Sequence, residues 1–164
     1  MRRNRRRLAS DPPADPAGPP RAGGPHWEIT LAVVPLLTFT DECTQAIETY
    51  VAAFDAEIDR LVRFRDAPEW TRPRFGRRVM LAELTVAGHR IRMSDALTDL
   101  PIATGTRLTI RVELGDALLH QAAAVLGEGG TLLTEVTPTG PGSSYAMIED
   151  RFGVVWELAS LRET

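Results

Sequence analysis

Few side chains in this sequence stand at spacings that support chemistry. Three histidines, His26, His89 and His120, and one cysteine, Cys43, are too scattered for a zinc-type cluster, and one thiol makes no disulfide framework. His89 follows Gly88 in a tight turn and reads as an exposed hairpin residue. As a general base it would need a carboxylate or substrate beside it. His26 falls in a Pro-rich tail and His120 inside a helical pattern, so neither is a candidate. Cys43 opens a helical pattern whose dipole would lower its pKa, but no His is spaced to serve it, and a packed thiol is the better reading. Glu83 lies mid-strand between Ala82 and Leu84 and shares a face with Leu81 and Thr85. On a ligand-facing surface it would be an acid/base group; on the opposite surface it would simply be solvated, and alternation does not choose. Tyr145 follows a flexible Gly-Pro-Gly-Ser-Ser stretch. Trp70 stands in a Pro-rich segment with Arg72, Arg74, Arg77 and Arg78. That segment is either a basic, aromatic lid over an acidic or aromatic ligand, or a solvated loop. Trp156, among Val154, Val155 and Leu158, reads as core.

The elements that must position these groups belong to one soluble domain or two small fused modules. The chain has 164 residues, 43% hydrophobic and 25% charged, with no apolar run of about 18 residues to form a membrane span. All 19 basic residues are Arg, which reads as a composition bias. Charge is divided: residues 1–26 carry six Arg against two Asp, a balance of +4, and the remainder a balance of −7. Six of the twelve prolines also lie in 1–26, so this tail is expected to be disordered. Its arginines read as a solvated extension, and no nucleic-acid partner is expected. No apolar segment follows them as in an export signal, so a cytoplasmic protein is expected.

Beyond the tail, one order of elements occurs twice. Residues 29–39 form a β-like run, and Thr40-Asp41-Glu42 offer caps for a helix with Ala46, Ile47, Tyr50, Val51 and Phe54 on one face. Strands are expected at 57–65, 78–86 and 89–93, the last two joined by a turn at Ala87-Gly88. The second half repeats the order: a strand at 107–114, a helix capped by Asp116 with Leu118, Leu119, Ala122, Val125 and Leu126 on its face, then strands at 131–136, 145–149 and 154–158. Residues 138–143 are expected to be a loop. This is a duplicated βαβββ unit of roughly 55–65 residues, module 1 at about 28–95 and module 2 at about 106–160. Each unit has a helix for one sheet face and needs its twin to complete the structure.

Four stretches carry a family resemblance: PLLTFTDECTQAIETYVAAF (35–54), VMLAELTVAGHRIRMSD (79–95), LTIRVELGD (108–116) and EDRFGVVWEL (149–158). In this order they resemble the vicinal oxygen chelate superfamily of glyoxalase and bleomycin-resistance proteins, most closely its PhnB-like branch. The resemblance implies an α+β fold of two βαβββ modules whose antiparallel sheets form a U-shaped cleft, commonly completed by a homodimer. In that superfamily a divalent metal is held at equivalent points of the two modules and polarises substrate oxygens. Carried over by position, the metal points fall on Val34 or Pro35, Met93 or Ser94, Arg107 and Glu157, and only Glu157 is the expected acid. Leu81 stands where the branch often has a His. The resemblance thus implies a cleft without the family metal, in which Arg107 meets either Glu157 or an anionic ligand. Glu157 and Glu83 are the candidate catalytic acids, and Arg107, Tyr145, Leu81 and Trp70 the candidate ligand contacts. Two functions follow: a small-molecule binding protein with no cofactor, or a lyase, isomerase or dioxygenase using Glu157 with or without a divalent metal.

Overall fold

The computed structural model describes residues 33–67, 73–97 and 108–160. Among these, eight strands and two α-helices follow in the order β1 (Leu36–Phe39), α1 (Cys43–Phe54), β2 (Glu57–Arg63), β3 (Val79–Val86), β4 (His89–Asp95), β5 (Thr109–Leu114), α2 (Asp116–Gly127), β6 (Thr131–Gly140), β7 (Ser143–Glu149) and β8 (Val155–Ser160). They form two four-stranded sheets with the same spatial order, β1-β4-β3-β2 and β5-β8-β7-β6. The duplicated βαβββ unit is therefore present. Three strands of each sheet are antiparallel, as expected, and each sheet gains one parallel edge, β1 on β4 and β5 on β8. The helix after the first strand carries the chain across the sheet, so that strand returns beside the last one in the same direction.

Period-two alternation sends Ala82, Leu84, Ile91 and Met93 of the first sheet to one face, and Ala146, Ile148, Trp156 and Leu158 of the second. Those faces are covered by the apolar stripes of the helices, Ala46, Ile47, Tyr50, Ala53 and Phe54 on α1 and Leu119, Ala122, Ala123 and Leu126 on α2. The helices also pack on each other, and one core runs through both modules. Tyr50 and Phe54 each lie 4.9 Å, centroid to centroid, from the Trp156 ring, one of the contacts that join module 1 to module 2. No helix among the described residues is long and apolar enough to cross a membrane.

Several boundaries differ from expectation for local reasons. The strand expected over 29–39 begins, within the described residues, at Leu36, directly after Pro35, which has no N–H to donate. β2 ends at Arg63, because Phe64–Asp66 form a 3₁₀ turn in which Asp66 Oδ2 accepts the Arg63 N–H at 3.0 Å. β6 extends to Gly140 through Pro138, tolerated on an edge strand, so the expected loop contracts to a turn at Pro141-Gly142. Both helix caps are corrected. Glu42 precedes α1 without capping it, and the Cys43 N–H instead donates to Asp95 Oδ1 at 3.0 Å. Asp116 is the first residue of α2 rather than its cap, after Gly115.

One buried carboxylate ties the assembly together. Asp150, at the β7–β8 turn, is 3% exposed and accepts four hydrogen bonds. Oδ2 receives the Tyr50 hydroxyl at 2.8 Å and Trp156 Nε1 at 2.9 Å, while Oδ1 receives the N–H groups of Phe152 and Val154 at 2.9 and 3.0 Å. Tyr50→Phe removes one of these charge-assisted bonds and is expected to cost about 1.5–3 kcal/mol, measured by urea unfolding. Burial, then the Asp150 charge, pushes the Tyr50 hydroxyl well above the ordinary tyrosine range. The folded state therefore keeps this proton where the unfolded chain, with a pKa near 10, loses it. The resulting stability is fully present below about pH 10 and is lost as pH rises further. In a Tyr145→Phe variant, where Tyr50 is the remaining tyrosine, tyrosinate absorbance is expected to appear only together with unfolding.

Candidate functional site

The helices cover one face of each sheet and leave the other open. Glu83 falls on the open face of the first sheet, away from the helices, on β3 beside Leu81 and Thr85. It is no isolated acid: Glu83 Oε1 accepts from both Nε and Nη2 of Arg92 on β4, each at 2.8 Å. Glu157 falls on the open face of the second sheet, on β8, where it receives Nη1 of Arg111 from β5. Arg111 Nε reaches Glu113 at 3.2 Å. These bonds, to Glu113 first and then Glu157, raise the guanidinium pKa further above its usual range. Tyr145 and Met147 lie half-buried on β7 of the same face, Met147 directly opposite Glu157. The two carboxylates proposed from sequence thus belong to different sheets, each with its own arginine.

Arg107 and Trp70 lie outside the described residues. The partner seen on Glu157 is Arg111, which sequence reading passed over although it stands in the alternating run RLTIRVEL. Once β5 is in parallel register with β8, Arg111 is the residue opposite Glu157. His89 is exposed, and Cys43 is fully buried with its thiol pushed up by burial and then by the nearby Asp95 charge. Cys43 is a packed thiol and Trp156 a core ring, as expected.

The duplication shows which positions correspond. Each parallel edge ends alike, with Phe39 opposite Asp95 and Leu114 opposite Ser160. Three places back, Leu36 stands opposite Arg92 and Arg111 opposite Glu157. The point on β4 that corresponds to Glu157 is therefore Arg92. Met93 points the other way, into the core. The set Leu36, Arg92, Arg111 and Glu157 contains one carboxylate and two guanidinium groups. Such a set does not fit a divalent ion, which needs several neutral or anionic donors. Among the described residues no three His, Cys, Asp or Glu side chains lie close enough together to hold a metal. A cavity of about 240 Å³ lies elsewhere, between the helices, lined by Glu48, Thr49, Glu128 and Arg151 among others and by none of these candidates.

Two βαβββ modules with this strand order and open sheet faces define a vicinal oxygen chelate protein. The chain belongs to the family described as 3-demethylubiquinone-9 3-methyltransferase, whose model matches residues 31–159. That description names an activity, and membership by itself assigns no reaction to this chain. Among solved structures, protein PA1353 from Pseudomonas aeruginosa is 25% identical with a TM-score of 0.70, over 82% of this chain and 100% of that one. The putative 3-demethylubiquinone-9 3-methyltransferase, PhnB protein, from Bacillus cereus is 18% identical with a TM-score of 0.67, over 80% and 100%. The fosfomycin resistance protein FosX from Listeria monocytogenes, complexed with Mn(II) and sulfate, is 15% identical with a TM-score of 0.52, over 82% and 94%. No curated protein matches the sequence.

Because the Glu157–Arg111 pair is solvent-facing, it adds little to folding. Glu157→Gln is expected to change unfolding free energy by less than about 1 kcal/mol in urea titrations. Loss of function in that variant would then report on the site and not on the fold.

Proposed function

We propose that this protein binds a small organic molecule on the open sheet faces and works as a cytoplasmic homodimer without the superfamily's metal. The observation that carries this reading is Arg111, whose guanidinium is hydrogen-bonded to Glu157. FosX, a structural neighbour, is described in complex with Mn(II); this chain sets a permanent organic cation beside Glu157. Arg111 remains half exposed, so it can also present N–H groups to a carboxylate or carbonyl oxygen of the ligand. Tyr145 and Met147 offer an aromatic ring and a thioether for the apolar part of that molecule. Leu81 would meet it from the first sheet, and Arg107 and Trp70 complete the proposed contacts.

A second reading uses the same pair. A carboxylate held beside a cation on an open face is the equipment of a metal-independent lyase or isomerase, with Glu157 moving a proton and Arg111 stabilising the oxyanion. Glu83, held by Arg92, is the corresponding acid on the other sheet.

The test is a thermal-shift screen of the full chain with small organic acids, followed by calorimetry and mass spectrometry of the recovered ligand. A saturable ligand, bound about tenfold or more weakly by Arg111→Leu and recovered unchanged, is the expected result. Recovery of an altered molecule from wild type but not from Glu157→Gln selects the enzyme instead. Stoichiometric, Glu157-dependent uptake of Mn(II), Ni(II) or Zn(II), read by elemental mass spectrometry, overturns the metal-free reading.

A further inference from the structure

The cavity between the helices is built from residues that neither the core nor the open faces use. On α1 its wall includes Gln45, Glu48 and Ala52, spaced i, i+3 and i+7 along a stripe beside the buried one. The end of α2 contributes Val125 and Glu128, and the β7–β8 turn contributes Arg151. Arg151 is held by packing and not by a counter-ion. Gly129, at a φ of 74°, leaves bare backbone beside its stem: a Cβ at that position would lie 3.5 Å from Arg151 Cβ and 3.7 Å from Cδ. The guanidinium carbon stands 4.8 Å from the centre of the Phe152 ring. Among the described residues, no ion pair or hydrogen bond occupies that guanidinium or the carboxylates of Glu48 and Glu128. One fixed cation and two acids therefore border one small cavity with their charges unspent.

We propose that this cavity is a second ligand site, which binds a free amino acid: Arg151 takes its carboxylate through paired N–H donors, and Glu48 and Glu128 take its cationic groups. A simple organic acid meets one favourable charge there and two repulsive ones, and a simple amine meets the reverse mixture. A molecule with both kinds of end uses every charge. A basic amino acid suits the site best, because its one carboxylate and two cationic groups match one guanidinium and two acids. Ala52 and Val125 offer methyl groups to the stem of such a side chain. The volume of about 240 Å³ lies just under the usual range for ligand pockets, about 300 to 1,000 Å³, which fits a molecule of amino-acid size. The site also adjoins the junction of the modules. Arg151 follows Asp150, and Glu48 stands two residues before Tyr50, which donates to Asp150. A ligand held between α1 and this turn reinforces the same junction, and by linkage it raises stability as its concentration rises.

The experiment is calorimetry of the full chain with L-arginine, L-alanine and L-glutamate, and with acetate and methylamine as probes of one charge each. It is repeated in Arg151→Gln and in the double variant Glu48→Gln with Glu128→Gln. All three side chains are exposed, so the variants are expected to fold, which circular dichroism checks. L-Arginine is expected to bind saturably, one per chain and more tightly than L-alanine, with L-glutamate and the two simple probes weakest. Arg151→Gln is expected to weaken L-arginine and L-alanine by about tenfold or more, and the double variant to remove the preference for L-arginine over L-alanine. No saturable binding of any amino acid, binding indifferent to Arg151→Gln, or acetate bound as tightly as L-alanine overturns the proposal. Amino-acid binding that is lost in Arg111→Leu belongs to the open face; it overturns this site and leaves the proposed function standing.

Discussion

A carboxylate buried among aromatic rings is tolerated only when its lone pairs are occupied, and Asp150 meets that condition with four donors. Two come from its own turn, one from Trp156 and one from Tyr50 on the helix of the other module. The arrangement is a constraint as much as a bond. Tyr50 can reach Asp150 only if α1 lies against the β7–β8 end of the second sheet, where Phe39 and Tyr50 also meet the Phe152 ring edge-on at 5.9 and 6.3 Å. In the sister module the corresponding place is held by Val86, buried in the ordinary way. A three-residue turn, Arg151-Phe152-Gly153, replaces the two-residue turn Ala87-Gly88, and Gly153 takes a positive φ of 81° to close it. Fixing the helices between the modules in this way uses one face of each sheet for packing and leaves the other face of each exposed.

What the exposed faces can do is decided by charge. At the corresponding points of the two parallel edges this chain holds Leu36, Arg92, Arg111 and Glu157. Guanidinium groups keep their charge at any physiological pH and offer several donors in a plane. They polarise an oxygen more weakly than a metal does, but they bind carboxylates and carbonyls well. The fold alone does not fix what the open faces do, so their charges have to be read residue by residue.

Much of the architecture was legible in the sequence because periodicity and turn residues are local signals. The stripe Ala46-Ile47-Tyr50-Phe54, the alternation in RLTIRVEL and the Ala87-Gly88 turn each announce their element within a few residues. The caps were not legible. The donor at Cys43 is satisfied by Asp95, 52 residues away, and no rule of neighbouring residues finds such a partner. Asp150 was hidden for the same reason, since an acid beside a turn reads as solvated until a tyrosine 100 residues earlier is placed against it. Arg111 was missed differently. The alternating run that contains it was identified, but only the parallel register of β5 on β8 shows that Arg111, and not a residue nearer the start of the run, lies opposite Glu157.

The duplication also serves as an internal comparison of what packing and function each demand. At corresponding positions facing the helices, Leu37 and Val112, Phe39 and Leu114, Ala82 and Ala146, Leu84 and Ile148, Ile91 and Trp156, and Met93 and Leu158 are all apolar and buried. Close packing tolerates changes of shape there but not a lone charge. At the corresponding open positions, Leu36 and Arg111, Arg92 and Glu157, and Glu83 and Met147 differ in chemical class. Nothing in the packing of a single chain requires those differences, because an exposed face accepts leucine, arginine or glutamate at little cost in stability. Side chains free of the fold's demands, yet joined into two ordered Arg–Glu pairs, are where a ligand or a second copy would exert its own demand.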